Sequence, residues 1–378
     1  MKVVLQDRLE WLDALKGLAI LWVVGFHVNV LTGHIITFHG YQTGSLAQLL
    51  PAFPSAGGWG SALTGVIHSF LSLGYQGAHL FLVASGFSLA FAIARNNQKI
   101  VYKKWVVRHL LHLLPLYWAA HLLFWAACYL RHDWSSMPLN FGAIASVLTL
   151  NWVAPKWFWY GPDAWWFVRL LVQLYLLFPV LYFVRMRLGA RSFLVVCGAV
   201  TIACRAVSIF VVDGSHSFLL NFGFAGNRLF EFALGIAIGV AAAQGRSLFS
   251  SSWLSLPGLA ACWGGGIILS TNIYGKLVSE ALIATGCFGV LSVFLASLKG
   301  RNYLPRALST VGRHSYGLYL VHCPLILPLL VLSRRYSLKP FIASVTAFVV
   351  VVVAGCIYDF LAKGAYVRAV RYFRPEAN

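Results

Sequence analysis

The 378-residue chain is 60% hydrophobic and 15% aromatic, carries only 10% charged residues, and has a formal net charge of +19. Soluble domains carry about 25% charged residues, so this composition excludes an ordinary water-soluble enzyme and points to a polytopic membrane protein. In a soluble chain such a charge would suggest nucleic acid. Here the basic residues flank apolar runs, so topology and anionic lipid account for most of them, with a remainder for a polyanionic ligand.

Ten spans are expected in chain order: 14–33, 77–94, 109–130, 164–184, 192–212, 222–243, 253–270, 277–298, 314–333 and 340–362. They make an all-α, polytopic membrane bundle, read as one domain over 1–378. Placing both termini in the cytoplasm leaves only Arg131, Lys156, Lys276, Arg334, Arg335 and Lys339 on the outer side, as the positive-inside rule favours. The N-terminal MKVVLQDRLEWLDALKG is too polar for a cleaved signal peptide, so the first helix is expected to stay as an anchor. Cysteines 128, 197, 204, 262, 287, 323 and 356 lie in apolar segments without CxxC spacing and are expected to be buried thiols. The C-terminal KGAYVRAVRYFRPEAN carries no soluble catalytic domain, so chemistry is expected inside the bundle.

Ionisable residues inside spans are costly and usually functional, and this picks the candidates. In the first span Lys16 and His27 are eleven residues apart. That spacing is about three helical turns, so both project from one face, about 16 Å apart along the axis. Lys16 can be a snorkelling interfacial lysine paired with Asp13, or an anion seat. His27 can be a hydrogen-bonded packing residue, or a base at a reaction centre. The segment 34–76 has no Lys, Arg, Asp or Glu and is expected to include a short interfacial or re-entrant helix near 61–73.

In KKWVVRHLLHLLPLYW, Lys104, Arg108 and His112 recur at i, i+4 and i+8 as a cationic stripe. The stripe suits either a cytoplasmic flank or a seat for phosphates. Pro115 is expected to bend the helix and free carbonyls. His109 and His112 lack a carboxylate or cysteine to complete a metal set, and no metal is expected. The external segment 131–163 contains WVAPKWFWYGPDAWW, whose Trp157, Trp159, Trp165 and Trp166 suit an interfacial belt, a platform for sugar rings, or both. Arg228 and Glu231 are spaced for an in-span ion pair, whereas Arg169 and Arg205 need a partner from another helix or a ligand. GYQGAHLFLVASGF (74–87) and VGRHSYGLYLVHCP (311–324) suggest close helix approach. In the second, Ser315, Tyr316, Tyr319 and His322 suit either packing or the lining of a polar cavity.

Taken in order, these stretches resemble the acyltransferase-3 family of integral-membrane acyltransferases. Lys16 and His27 are similar to its Arg/Lys-x10-His signature. Phe81 with Ser85–Gly86–Phe87 resembles its Phe-x-x-x-Ser-Gly-Phe segment, and VRHLLHLLPLYW its Arg-rich helix ending in Pro-x-Tyr-Trp. WFVRLLVQLYLLFP, RLFEFALG and GRHSYGLYLVHCP resemble its later spans. Two departures stand out: Leu171 and Val172 occupy the region where many members carry a glutamate, and His112 stands where many carry arginine. The soluble esterase-like domain fused to some members is not expected here.

The resemblance implies a bacterial inner-membrane O-acyltransferase. It would move an acyl group, most often acetyl, from cytoplasmic acyl-CoA to a hydroxyl of an exopolysaccharide, O-antigen or lipid-linked sugar, or of a small metabolite. Acyl-CoA would be a co-substrate, with no bound cofactor and no nucleic acid; glycan-assembly machinery is a further candidate partner. Lys16, Lys104, Arg108 and His112 would seat CoA, with His27 as base or transient acyl carrier; Asp13, Ser85, Arg169, Arg228, Glu231, Ser315, Tyr316 and His322 would line or brace the site. Two competing readings of the residues stay open: a transporter or flippase for sugars or lipid-linked glycans, which the lack of an inverted repeat disfavours, and a non-catalytic scaffold.

Overall fold

In hydrocarbon no water is present to satisfy backbone N–H and C=O groups, so apolar runs must close their hydrogen bonds internally. The computed structural model describes residues 2–31, 59–130, 141–151, 157, 160–212, 223–246, 255–298 and 303–373, and no strand is present among them. The helices are α1 (Lys2–Leu31), α2 (Trp59–Ser72), α3 (Gly77–Arg95), α4 (Tyr102–Leu130), α5 (Phe141–Val147), α6 (Trp166–Val207), α7 (Leu229–Ala243), α8 (Leu256–Leu269), α9 (Lys276–Ser297), α10 (Tyr303–Arg313), α11 (Ser315–Arg335) and α12 (Pro340–Phe373).

Eight stretches among the described residues are long and apolar enough to cross a membrane. Where described, the ten expected spans fall on helix, but three take another form. Spans 164–184 and 192–212 belong to one apolar stretch, Trp166–Val212, broken only where Gly189 turns to φ 76° and ψ 175°. Span 253–270 is the short α8, 14 residues long. The expected short helix near 61–73 is α2, which runs through a 3-10 turn, Leu73–Gln76, straight into α3. The remainder of 34–58 lies outside the described residues.

α1 is the hub. It touches α2, α3, α9, α10, α11 and α12. The indole of Trp22 stacks on Phe70 and its Nε1–H donates to the Phe70 carbonyl at 2.8 Å, folding α2 back along α1. The closest approach is to α10. A Cβ on Gly312 would stand 1.8 Å from the Asp13 carbonyl oxygen, and one on Gly17 would stand 1.9 Å from that of Leu308. Only glycine admits the two backbones this closely. The other glycine-rich stretch behaves alike: a Cβ on Gly86 would lie 2.2 Å from the Phe232 carbonyl oxygen of α7.

The carbonyls around Pro115 are taken up by tyrosines. Tyr316 of α11 donates to the Leu113 carbonyl at 2.9 Å, and Tyr358 of α12 to that of Leu116 at 2.6 Å. The turn from α10 to α11 is tied down by Asp359, which is buried. Its carboxylate lies 2.8 Å from His314 Nδ1 and 2.7 Å from Lys363 Nζ, and accepts from Gly317 N–H at 3.0 Å. That turn carries the exposed Arg313 and the buried Ser315 to the lining of one cavity.

The crossing at Gly312 predicts a sharp steric response. Gly312→Val sets a side chain against backbone that cannot rotate away, and overpacking of this kind costs about 1–3 kcal/mol. The thermal midpoint of purified protein in detergent is expected to fall; an unchanged midpoint would contradict the close crossing.

Candidate active site

The crossing of α1 and α10 places Asp13 and Lys16 opposite Arg313 and Ser315. These residues form the rim of a cavity of about 420 Å³, which His109 and His112 of α4 complete. Lys16 Nζ lies 3.3 Å from Asp13 Oδ1, and both side chains are only partly covered, so the lysine is anchored yet open to a ligand. Among the described residues lining this cavity, Asp13 is the one acid, so the rim is basic overall. Below the rim Phe81, Leu113, Phe167 and Leu171 make apolar walls, with the hydroxyls of Ser85, Tyr175, Tyr316 and Tyr319 between them. Leu171 thus lends the wall a hydrocarbon side chain.

Tyr319 belongs to α11, and His322 follows it three residues further along the helix. The His322 ring meets the ring of His27 at 4.8 Å between centroids and 71° between planes. The histidine pair therefore lies one helical turn beyond Tyr319. Both imidazoles are tied to their own helices. His27 Nδ1–H donates to the Val23 carbonyl at 2.9 Å, and His322 Nδ1–H to that of Tyr319 at 2.5 Å. A carbonyl only accepts, so in each neutral ring the proton is on Nδ1 and Nε2 is the basic nitrogen. Cys323 Sγ lies 3.4 Å from His322 Nε2.

Part of the expected stripe stops short of the cavity. Lys104 and Arg108 are exposed and do not line the cavity. The buried side of α4 is Trp105, Leu113, Leu116 and Tyr117; the cavity meets α4 at His109, His112 and Leu113, so Lys104 and Arg108 lie short of it along the same exposed stripe as His112. His112 is exposed at that edge, with Nδ1–H donating to the Arg108 carbonyl at 2.7 Å. The aromatic segment also divides. Trp165 is fully buried, packs against His121 and Tyr117, and donates from Nε1 to the Leu320 carbonyl at 2.8 Å. It presents no open face to a sugar; its bulk instead locks α6 to α11. Trp166 is half-buried against Phe167, and the half-buried Trp157 accepts from Asn151 Nδ2 through its carbonyl at 2.7 Å. Trp159 lies outside the described residues.

Arg228 and Glu231 do pair, at 3.3 Å, but within a larger buried network. Arg228 Nη1 is closer to Glu280 Oε2 of α9, at 2.7 Å. The same carboxylate oxygen accepts from His79 Nε2 at 2.7 Å, while Arg205 Nη2 approaches Glu280 Oε1 at 3.7 Å. Arg205 also donates from Nε to the Lys276 carbonyl at 2.6 Å. Four helices thus deliver two carboxylates, two guanidiniums and one imidazole to one interior point. Gln173 positions the chain that brings Arg228 in: it donates to the Gly223 carbonyl at 2.9 Å and accepts from Ala225 N–H at 3.1 Å. Arg169, also buried, donates to the Tyr160 carbonyl at 3.1 Å.

Sequence reasoning singled out Lys16, His27, Ser85, His112, Ser315, Tyr316 and His322, and the fold brings these to the cavity or to the histidine pair beyond it. It passed over Arg313, Cys323, His79 and Glu280. His79 and Glu280 carried a readable signal, since each is an ionisable residue within an expected span. Arg313 and Cys323 carried none: an arginine at a span end and a cysteine in an apolar run are ordinary until their neighbours are known.

A comparison with protein families matches residues 9–358 to a family described as an acyltransferase domain, acyltransferase-3. No curated protein and no solved structure gives a match.

The network predicts a stability defect with a defined cause. Removing one partner of a buried ion pair costs about 3–5 kcal/mol, because the remaining charge is left in a poor solvent. Glu280→Gln is expected to lower the thermal midpoint of the purified protein markedly, while Glu10→Gln, at an exposed position, is expected to leave it in place.

Proposed function

Because the chain belongs to the acyltransferase-3 family and is a multi-pass membrane acyltransferase, we propose that it transfers an acyl group, acetyl foremost, from acyl-CoA to a sugar hydroxyl. The acceptor is a cell-envelope or exopolysaccharide glycan, and the enzyme resides in a bacterial inner membrane with the Lys16 end of the bundle toward the cytoplasm. The observation that carries this reading is the cavity itself: a basic rim, apolar walls, and a pair of histidines one turn beyond its last tyrosine.

The chemistry matches the order of these groups. CoA is polyanionic at one end and carries its thioester at the other, joined by a narrow, largely apolar arm. Lys16, His112 and Arg313 receive phosphate oxygens through charge-assisted hydrogen bonds. Lys104 and Arg108, on the outward side of α4, raise the local anion concentration without contacting the seated donor. The arm runs between Phe81, Leu113 and Leu171, where water is excluded. The thioester then reaches the neighbourhood of Tyr319 and His27. The rise of about 16 Å between Lys16 and His27 sets the length of this path.

At the reaction centre His27 Nε2 accepts the proton of the acceptor hydroxyl as its oxygen attacks the thioester carbonyl. The tetrahedral intermediate collapses, the C–S bond breaks, and the CoA thiolate takes the proton back from His27. The Nδ1–H bond to the Val23 carbonyl holds the ring in the tautomer this needs. The same nitrogen could instead take the acyl group as an acyl-imidazole before passing it on. Trapping a labelled acyl-enzyme in the absence of acceptor separates the two routes.

His27→Ala, expressed in membranes at the normal level, is expected to lose transfer by about 10²–10⁴-fold, read as acceptor-dependent release of CoA; retained turnover would overturn the assignment. Lys16→Ala and Arg313→Ala are expected to raise KM for acyl-CoA far more than they lower kcat, with a difference from wild type that shrinks as salt increases. Mass spectrometry of envelope glycans from cells with and without the protein identifies the acceptor.

A further inference from the structure

Below its rim the cavity is walled by hydrocarbon and aromatic rings, into which four hydroxyls are set: those of Ser85, Tyr175, Tyr316 and Tyr319. Two of the four are committed to backbone. Tyr316 donates to the Leu113 carbonyl at 2.9 Å, and Tyr319 to that of Ala164. The other two are paired across the gap between α3 and α6, with the Ser85 side chain as hydrogen-bond partner of the Tyr175 hydroxyl. Among the described residues neither of these hydroxyls has a second hydrogen-bond partner. We propose that the Ser85–Tyr175 pair reads an amide of the acyl-CoA arm, the one nearer the phosphates, and so sets how far the donor slides into the bundle.

The pair has the chemistry of an amide reader. Two hydroxyls bonded to each other use one O–H and one lone pair, which leaves one O–H to give and further lone pairs to receive. An amide is complementary, with an N–H to give and a C=O to receive. Ionised phosphate only accepts, and a methylene chain does neither. Once the donor fills the cavity, an O–H without an acceptor in this apolar wall is costly. The part of the donor that lies against it must therefore be polar.

Position along the cavity selects which amide. The Tyr175 ring lies 6.3 Å from that of His109, on the rim side, whereas Phe167 of the same helix lies 5.4 Å from the Tyr319 ring at the far end. Phe167 and Tyr175 are eight residues apart, about 12 Å along the axis. Of the two amides in the arm, one is only two carbons from the thioester sulfur and belongs with the reacting end. The other lies further toward the phosphates, where Tyr175 and Ser85 stand. This assignment rests on acyl-CoA being the donor, as proposed above; it adds where along the wall the arm is held.

Isothermal titration of CoA into purified full-length protein in detergent tests the pair without turnover. Ser85→Ala and Tyr175→Phe are each expected to weaken CoA binding about three- to tenfold, the range of one lost hydrogen bond. This loss is expected to persist at high salt, whereas that of Lys16→Ala shrinks. A second measurement changes the ligand and leaves the protein intact. A CoA analogue with an ester oxygen in place of the amide N–H nearer the phosphates is expected to bind the wild type about three- to tenfold more weakly than CoA. The Ser85→Ala/Tyr175→Phe double variant is expected to bind the two ligands equally. Equal affinity of the wild type for both ligands, or a preference for CoA that survives in the double variant, would overturn the amide assignment. In the transfer assay each single variant is expected to raise KM for acetyl-CoA by more than it lowers kcat. Unchanged CoA affinity in both single variants, with His27→Ala inactive and Lys16→Ala weakened, would remove the pair and leave the proposed function standing. A wild-type protein that binds no CoA would instead remove the proposed donor, and the pair's role with it.

Discussion

The contact on which the site depends is backbone against backbone. Where Gly17 of α1 faces Gly312 of α10, no side chain separates the two helices, and the amphipathic α10 lies directly on the first span. Packing without side chains brings the middle of α1 and the end of α10 into one rim. Lys16 comes from one backbone and Arg313 from the other. The α10–α11 turn, held by Asp359, then feeds α11 into the bundle at the depth and angle that set His322 against His27. A larger residue at either glycine would push apart the two helices that carry Lys16 and Arg313.

A second constraint acts on the other half of the bundle. Charges taken out of water must be neutralised and hydrogen-bonded where they stand. Glu280 meets this demand for Arg228, Arg205 and His79 together, so α3, α6, α7 and α9 converge on one carboxylate. Such a junction is intolerant of rotation in any of the four helices. It holds rigid the walls that Phe81 and Ser85 from α3 and Phe167, Leu171 and Tyr175 from α6 contribute to the cavity. None of Arg205, Arg228, Glu231, Glu280 and His79 lines the cavity itself.

Between the rim and the histidines the environment changes from basic and open to apolar and closed. This gradient matches a substrate that is charged at one end and reactive at the other. The tautomer of each histidine is set by a carbonyl of its own helix, which leaves Nε2 the basic nitrogen of each ring.

Much of this was legible in the amino-acid order. Hydropathy alone places the spans, because a run of apolar residues in lipid has little choice but helix. The eleven-residue interval between Lys16 and His27 fixes their shared face by helix geometry. The small residues of 74–87 and 311–324 foretell close crossings. What remained hidden is rotational. Hydropathy says that α4 is buried along its length, not which side faces in, and packing of Trp105 and Leu113 leaves Lys104 and Arg108 exposed, short of the cavity, with His109 in its lining. Separation in the chain hid the rest. Glu280 lies 52 residues from Arg228, and His322 meets His27 from the far end of the sequence. The sequence by itself thus determined the helices, their small-residue crossings and the placing of Lys16 and His27 on one face. Only tertiary packing decided which faces meet, since that choice depends on side-chain shape and on the pairing of buried charge across helices that no local pattern records.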